Sequence, residues 1–240
     1  MDALPYQVVD AFTSKPFSGN QAAVVIFPSS TDARSTSIPF QLSLAREFNF
    51  SETAFLIPLP SSTFTAPHYG LRWFTPSVEF PLCGHATLAS AHVLFATTCQ
   101  EAELIRFETL SGQLTARKIG GAALELDFPA DETVLENVAI DGGTTKALLQ
   151  AVRTLGIAGL EDKVRGWARG KLSWIVELDK DVPLASLALD VKDFVSLLGS
   201  CFRIATTYPY RSRPVERLGW IHHLHPAVIK PCLRHSLASA

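Results

Sequence analysis

The sequence predicts an α+β fold in which a curved sheet wraps a single buried helix. Residues His85 to Ala96 read HATLASAHVLFA, apolar on nearly every side, so no placement on a surface would hide them. Strand-like segments lie on both sides of that stretch: Tyr6 to Phe12, Ala22 to Phe27, Thr53 to Leu59 and Tyr69 to Phe74 before it, then Leu104 to Thr109, Gly112 to Lys118 and Ala123 to Phe128 after it. Hydrophobic residues make up 47% of the 240, enough to build a real core. A helix without a polar face and strands without a helical partner satisfy one another most economically if the sheet curls round the helix.

Taken in order, the first two strands are joined by Thr13-Ser-Lys-Pro-Phe-Ser-Gly-Asn20, whose Pro, Gly and Asn suit tight backbone geometry. After a polar loop at Ser29 to Ser37, the spacing of Leu42, Ala45 and Phe48 puts them on one face of a helix over Pro39 to Phe48, with Pro39 in its first turn. The strands either side of Ser111-Gly112 read as a hairpin. From Asp131 the pattern restarts, with a helix over Thr144 to Leu155, a strand over Leu172 to Leu178 and a helix over Asp190 to Leu198. Beyond Gly199 periodicity is lost and basic residues outnumber acidic ones six to one. The expected organisation is a first domain over 1–128, a partial second domain over 129–199 and a loosely packed tail over 200–240.

Lysine and arginine total 21 against 23 acidic residues, a net charge of −2, so no global field recruits nucleic acid or an anionic membrane. The expected partner is a small molecule. No apolar run approaches the roughly 18 to 20 residues of a membrane span, and the opening MDALPYQVVD lacks the basic-then-apolar order of a signal peptide. Cytoplasmic localisation is the expectation. The four cysteines, Cys83, Cys99, Cys201 and Cys232, include no CxxC pair and read as reduced thiols rather than zinc ligands or disulfides. His222, His223 and His225 have no carboxylate or thiol at a supportive spacing, so no metal site is expected.

Chemistry concentrates in two places. Pro81-Leu-Cys-Gly-His-Ala-Thr-Leu-Ala89 opens the apolar helix, so free N–H groups and the positive end of its dipole lie inside the protein and need a partner. A substrate carboxylate is one candidate. The plainer alternative makes Gly84 a turn residue, Cys83 a small buried hydrophobe and His85 a satisfied polar group. Glu52 lies at the junction between the amphipathic helix and the next strand. It is either a solvated charge or, if partly buried, a general acid/base with a raised pKa.

Three blocks resemble the PhzF family, the phenazine-biosynthesis-like relatives of diaminopimelate epimerase. They are Val9-Asp-Ala-Phe-Thr with Phe17-Ser-Gly-Asn-Gln-Ala-Ala-Val24, then Glu47-Phe-Asn-Phe-Ser-Glu-Thr-Ala-Phe-Leu56, and Leu71-Arg-Trp-Phe-Thr-Pro continuing into Leu82-Cys-Gly-His-Ala-Thr-Leu-Ala89. The resemblance is strong over about residues 6–128, persists to about Leu198 and is absent beyond. It implies a diaminopimelate epimerase-like fold of two similar domains, each a curved sheet round a central helix, with the site between the two helix N-termini. It implies an isomerase that moves a proton on a small carboxylic acid without a cofactor or metal, and it leaves a homodimer open. Glu52 matches the family's proton-transferring glutamate, while Asn20, Gly84 and His85 match positions that line the site; Ser51 and Thr87, next to them in the chain, are further candidates for binding substrate. Cys83 aligns with a catalytic thiol of the epimerase relatives, whereas PhzF-type enzymes rely on the glutamate.

The family's second half carries a Glu-Asp-Pro stretch leading into a Thr-Gly-Ser-Ala helix start, and this chain has neither. The second similar domain is therefore expected to be incomplete. That gap motivates an alternative, a catalytically inert ligand- or partner-binding remnant of the family. A cysteine hydrolase built on Cys83 is disfavoured, because nothing supplies a strained elbow or an orienting residue.

Overall fold

A computed structural model describes residues 3–121, 123–129, 146, 149–150, 152–153, 159–169, 173–183, 201–206 and 231–236, with backbone alone at 167–169, 173–175 and the last two segments. Their contacts divide the chain into two compact units, Met1–Pro129 with Leu218–Ala240, and Ala130–Arg217.

The first unit opens with β1 (Pro5–Ala11) and β2 (Asn20–Ile26), an antiparallel pair in which Ala11 faces Asn20. The connecting loop is held from within. Phe12 and Phe17 both take positive φ, at 64°, and the Phe17 amide donates to the Asp10 carboxylate at 2.8 Å. Asp10 is itself buried, so the loop is clamped to the strand rather than left to solvent. A Cβ on Gly19 would lie 2.4 Å from the Ala11 carbonyl oxygen, a backbone atom that cannot move aside. Gly19→Ala is therefore expected to destabilise the unit by about 1 to 3 kcal/mol, the usual cost of overpacking, read as a lower urea midpoint. An unchanged midpoint would show that the loop relaxes freely.

Helix α1 (Ile38–Phe48) starts where the Ser37 hydroxyl accepts the Phe40 amide, and ends where Asn49 turns left-handed at φ 52° and bonds back to Ala45. It returns the chain for β3 (Glu52–Pro58) to lie parallel to β2, with Ala22 beside Glu52. β4 (His68–Phe74) runs antiparallel to β3 and carries the two-residue β5 (Glu79–Phe80), pinned by two Arg72–Glu79 hydrogen bonds of 2.7 and 2.6 Å. Helix α2 (Gly84–Ala96) then crosses over, so that β6 (Leu104–Thr109) pairs parallel with β4. β7 (Gly112–Lys118) and β8 (Leu124–Asp127) complete the meander, the β6–β7 turn reversing at Leu110-Ser111 with Gly112 at φ 91°.

Helix α2 touches β1, β2 and β3 and also β8, six strand intervals from β1. In a flat sheet those intervals would span about 29 Å, far wider than a helix of about 10 Å. The sheet must curl, and α2 is its filling. Alternation along the strands supplies two cores. Val9, Ala22, Val24, Ala54, Leu56, Leu71 and Trp73 face α2 with its own Ala86, Leu88, Val93 and Leu94, while Val25, Phe27, Phe55 and Phe74 pack with Ala45 of α1. Strands β2 and β3 are thus buried on both faces, which is why they read as continuous apolar runs.

Four strands were not foreseen from the sequence: β5, β9 (Val164–Arg169), β11 (Cys201–Thr206) and β12 (Pro231–Ser236). In the second unit the expected strand is β10 (Ser173–Leu178), antiparallel to β9 and parallel to β11, with Leu160, Val176 and Leu178 buried. Within the segment 200–240, β11 joins this sheet and β12 pairs antiparallel with β1 in the first unit. Lys146, Leu149, Gln150, Val152 and Arg153 are helical, as the sequence predicts for Thr144 to Leu155. The helix expected over Asp190 to Leu198 lies outside the described residues.

Candidate active site

The parallel pairing of β2 and β3 sets the site. It brings the first residues of both strands to one end of the sheet, and the start of α2 arrives there too: its Cys83 thiol lies within the field of the Glu52 carboxyl. Glu52 opens β3 and is 7% exposed, and its Oε2 has no hydrogen-bond partner. Burial raises its pKa from 4.5 to about 7. At neutral pH the group is therefore divided between acid and base, the condition under which one carboxyl can both take and give a proton.

Cys83 is the N-cap of α2 but makes no capping hydrogen bond with its side chain. Burial first, and then the charge of Glu52, push its pKa up to about 12, against the pull of the Ala86 and His85 amides. It is a thiol and not a thiolate. Its Sγ lies 3.3 Å from His85 Nδ1, and His85 Nε2 lies 3.4 Å from the Ser51 hydroxyl. Burial drives the His85 pKa down to about 4 although the Gln21 backbone carbonyl accepts a hydrogen bond from the ring, so the imidazole is neutral at neutral pH. Ser51 is exposed and directly precedes Glu52.

Gly84 takes the first helical position, and a Cβ there would meet only a ring carbon of Phe128, at 3.9 Å. The protein's own packing does not demand glycine here; its absence of a side chain leaves the helix start bare. Thr87 is fully buried, and both its amide and its hydroxyl donate to the Cys83 carbonyl, at 3.2 and 2.5 Å. It fastens the first turn and has no donor left for a ligand. Asn20, exposed, opens β2 two residues before Ala22, the neighbour of Glu52. Sequence reasoning passed over Gln21, whose contribution is a backbone carbonyl, and Asp10, although Asp10 stands inside the first quoted block. Among the described residues no group of three or more His, Cys, Asp or Glu side chains is placed to hold a metal. His222, His223 and His225 lie outside them.

This fold is shared with solved proteins. The chain superposes on a phenazine biosynthesis PhzC/PhzF protein from Clostridium difficile with a TM-score of 0.62 and 25% identity, covering 87% of this chain and 70% of that one. On a PhzF-family protein from Enterococcus faecalis the values are 0.55 and 31%, with 80% and 64% covered. A predicted epimerase of Pseudomonas aeruginosa shares the fold at 18% identity, with a TM-score of 0.55. These are diaminopimelate epimerase-like α+β proteins, and so is this chain.

The model of the phenazine biosynthesis-like (PhzC-PhzF) family matches residues 9–212, and the chain belongs to that family. The match runs past Leu198, where the resemblance read from the sequence stopped. An uncharacterized isomerase of Halalkalibacterium halodurans is 39% identical over 223 residues, 89% of this chain and 73% of that protein. The human phenazine biosynthesis-like domain-containing protein is 46% identical over 131 residues, 53% of this chain and 44% of its own. The chain thus matches less than half the length of that mammalian relative.

Proposed function

We propose that the chain is a PhzF-type isomerase that moves a proton on a small carboxylic acid by acid/base chemistry, with Glu52 as the proton-transferring group and no cofactor. The observation that carries this reading is the buried Glu52 carboxyl, with its unpartnered Oε2 and its pKa near 7, beside the bare start of α2. The relatives named as isomerases support the reaction class. The Gly84 amide and the positive end of the α2 dipole would hold the substrate carboxylate, and Asn20 and Ser51 would line its approach. Cys83, held as a thiol, would serve as a proton donor rather than a nucleophile. Within this proposal residues 1–128 carry the chemistry, 129–199 form a partial second domain, and the protein works in the cytoplasm as a monomer or homodimer without nucleic-acid or membrane partners. The described residues include no helix long and apolar enough to cross a membrane.

A second reading, an inert ligand- or partner-binding remnant, is favoured by one observation: the second-half helix-start motif of the family is absent from the sequence. One experiment separates the two. The chain is incubated in D2O with small carboxylic acids bearing an acidic carbon–hydrogen bond, and deuterium incorporation is read by mass spectrometry. Incorporation into one acid is the expected result. Binding of an acid without incorporation into any would establish the remnant.

A further inference from the structure

A second group of reactive side chains lies at the other end of β3, whose seven residues carry the chain about 20 Å away from Glu52. There Ser61 Oγ, on the loop between β3 and β4, is 2.7 Å from His68 Nδ1, and His68 Nε2 is 2.9 Å from Glu108 Oε1 of β6. Hydroxyl, imidazole and carboxylate follow one another, each within hydrogen-bond reach of the next. Ser61 is exposed, whereas only 19% of the His68 side chain is. We propose that Ser61 is a base-activated nucleophile that takes an acyl group from activated esters, at a site separate from Glu52.

The partners decide where the protons are. Hydrogen bonds from Gln113 and His68 hold the Glu108 carboxyl below its ordinary range, so it is a carboxylate and can only accept. In its neutral form, the form that can act as a base, the His68 ring therefore carries its N–H on Nε2 and turns the Nδ1 lone pair toward the Ser61 hydroxyl. The base is held in place from several sides. The His68 amide donates to Ser62 Oγ at 3.0 Å, its carbonyl accepts the Leu59 amide at 3.0 Å, and the Gln113 side chain donates to the same Glu108 oxygen at 2.9 Å. The loop closes without Ser61, through the Ser62 amide to the Leu59 carbonyl and the Thr63 amide to the Ala66 carbonyl. The Ser61 hydroxyl is thus free to react without undoing the loop. On attack, Ser61 Oγ bonds to the acyl carbon as its proton passes to Nδ1, and Glu108 stabilises the imidazolium. That proton then passes to the departing oxygen as the ester bond breaks, leaving an acyl-serine, a neutral ring and the free alcohol. Water repeats both steps to release the acid. A general base contributes about 100- to 10,000-fold, which suffices for an ester with a good leaving group, so the substrate class is aryl esters and not peptides.

The test uses p-nitrophenyl acetate on the full chain, with acetylation of each serine followed over time by peptide mass spectrometry. Ser18 is the internal reference, since it too is exposed but its hydroxyl donates to the Pro16 carbonyl at 3.5 Å instead of an imidazole. Ser61 is expected to acetylate about 100-fold or more faster than Ser18. His68→Gln, which removes the base, should bring Ser61 down to the Ser18 rate. Glu108→Gln, which keeps the shape of the side chain but not its charge, should slow Ser61 by a smaller factor. The Glu108 side chain is 45% exposed, so that variant is expected to fold normally even if His68→Gln does not. Acetylation of Ser61 no faster than of Ser18, or unslowed in a folded variant lacking either His68 or Glu108, overturns the proposal. Neither outcome depends on whether Glu52 transfers protons, so the two readings stand or fall separately.

Discussion

Glu52→Gln is expected to cut deuterium incorporation into the substrate acid by about 100- to 10,000-fold, the usual contribution of a positioned general acid/base. Glutamine keeps the shape and volume of the side chain, so the start of β3 and its pairing with Ala22 should survive. What it loses is the ability to take a proton at neutral pH and give it back. Glu52 is fitted to both tasks because burial alone has moved its pKa to about 7. The wild-type rate should therefore carry a titration near pH 7, and the variant's residual rate should not. Glu52→Asp offers a graded control, since it retains the carboxyl but withdraws it by one methylene, and effective proton transfer demands contact geometry. A glutamine variant that kept most of the activity would transfer the role to another group, with Cys83 the first to be tested.

Much of the first unit was legible in the sequence because its signals are local. The all-apolar helix, the strand-like segments and the spacing of Leu42, Ala45 and Phe48 on one helical face are written in neighbouring residues. The missed strands depend on partners far away. β5 is two residues long and is held by an ion pair across the hairpin from Arg72, while β12 pairs with a strand more than 200 residues earlier. No window of sequence contains those pairings. The site divides in the same way. Glu52 stood out because it sits between a helix and a strand, and Cys83 to Thr87 because they open a buried helix. Their connection did not, since the line from Cys83 through His85 to Ser51 spans 34 residues and exists only because parallel β2 and β3 begin at the end where α2 begins. Thr87 marks the opposite limit. Its hydroxyl donates to the Cys83 carbonyl one turn back, a bond that the sequence alone does not reveal.

The second large effect is on stability, and it arises from the opposed shifts of two neighbours. Glu52 keeps its proton up to about pH 7 when folded but loses it near 4.5 when unfolded. Between those values the folded state binds more protons, so stability falls as pH rises, by up to about 3 kcal/mol over the window. His85 does the reverse. Unfolded, it takes a proton near 6.5, whereas folded it refuses one until about 4, so stability falls as pH drops through that range by a similar amount. From about pH 4.5 to 6.5 the two slopes cancel, and the wild-type protein should show a nearly flat contribution from this site. Asp32 and Glu108, whose pKa values are lowered by their hydrogen bonds to Arg34 and to Gln113 and His68, act on the acid side of that window. Single substitutions should unmask each slope. Glu52→Gln is expected to leave stability rising with pH up to about 6.5 and flat above, and to be more stable than wild type at pH 8 by up to about 3 kcal/mol. His85→Gln should instead leave stability falling from about pH 4.5 to 7, and the double variant should be flat. Urea midpoints measured from pH 4.5 to 8 decide the matter. A Glu52→Gln protein no more stable than wild type at pH 8 would mean that the carboxyl finds a partner or water when ionised, and the buried, unsatisfied oxygen on which the proposed chemistry rests would no longer be available.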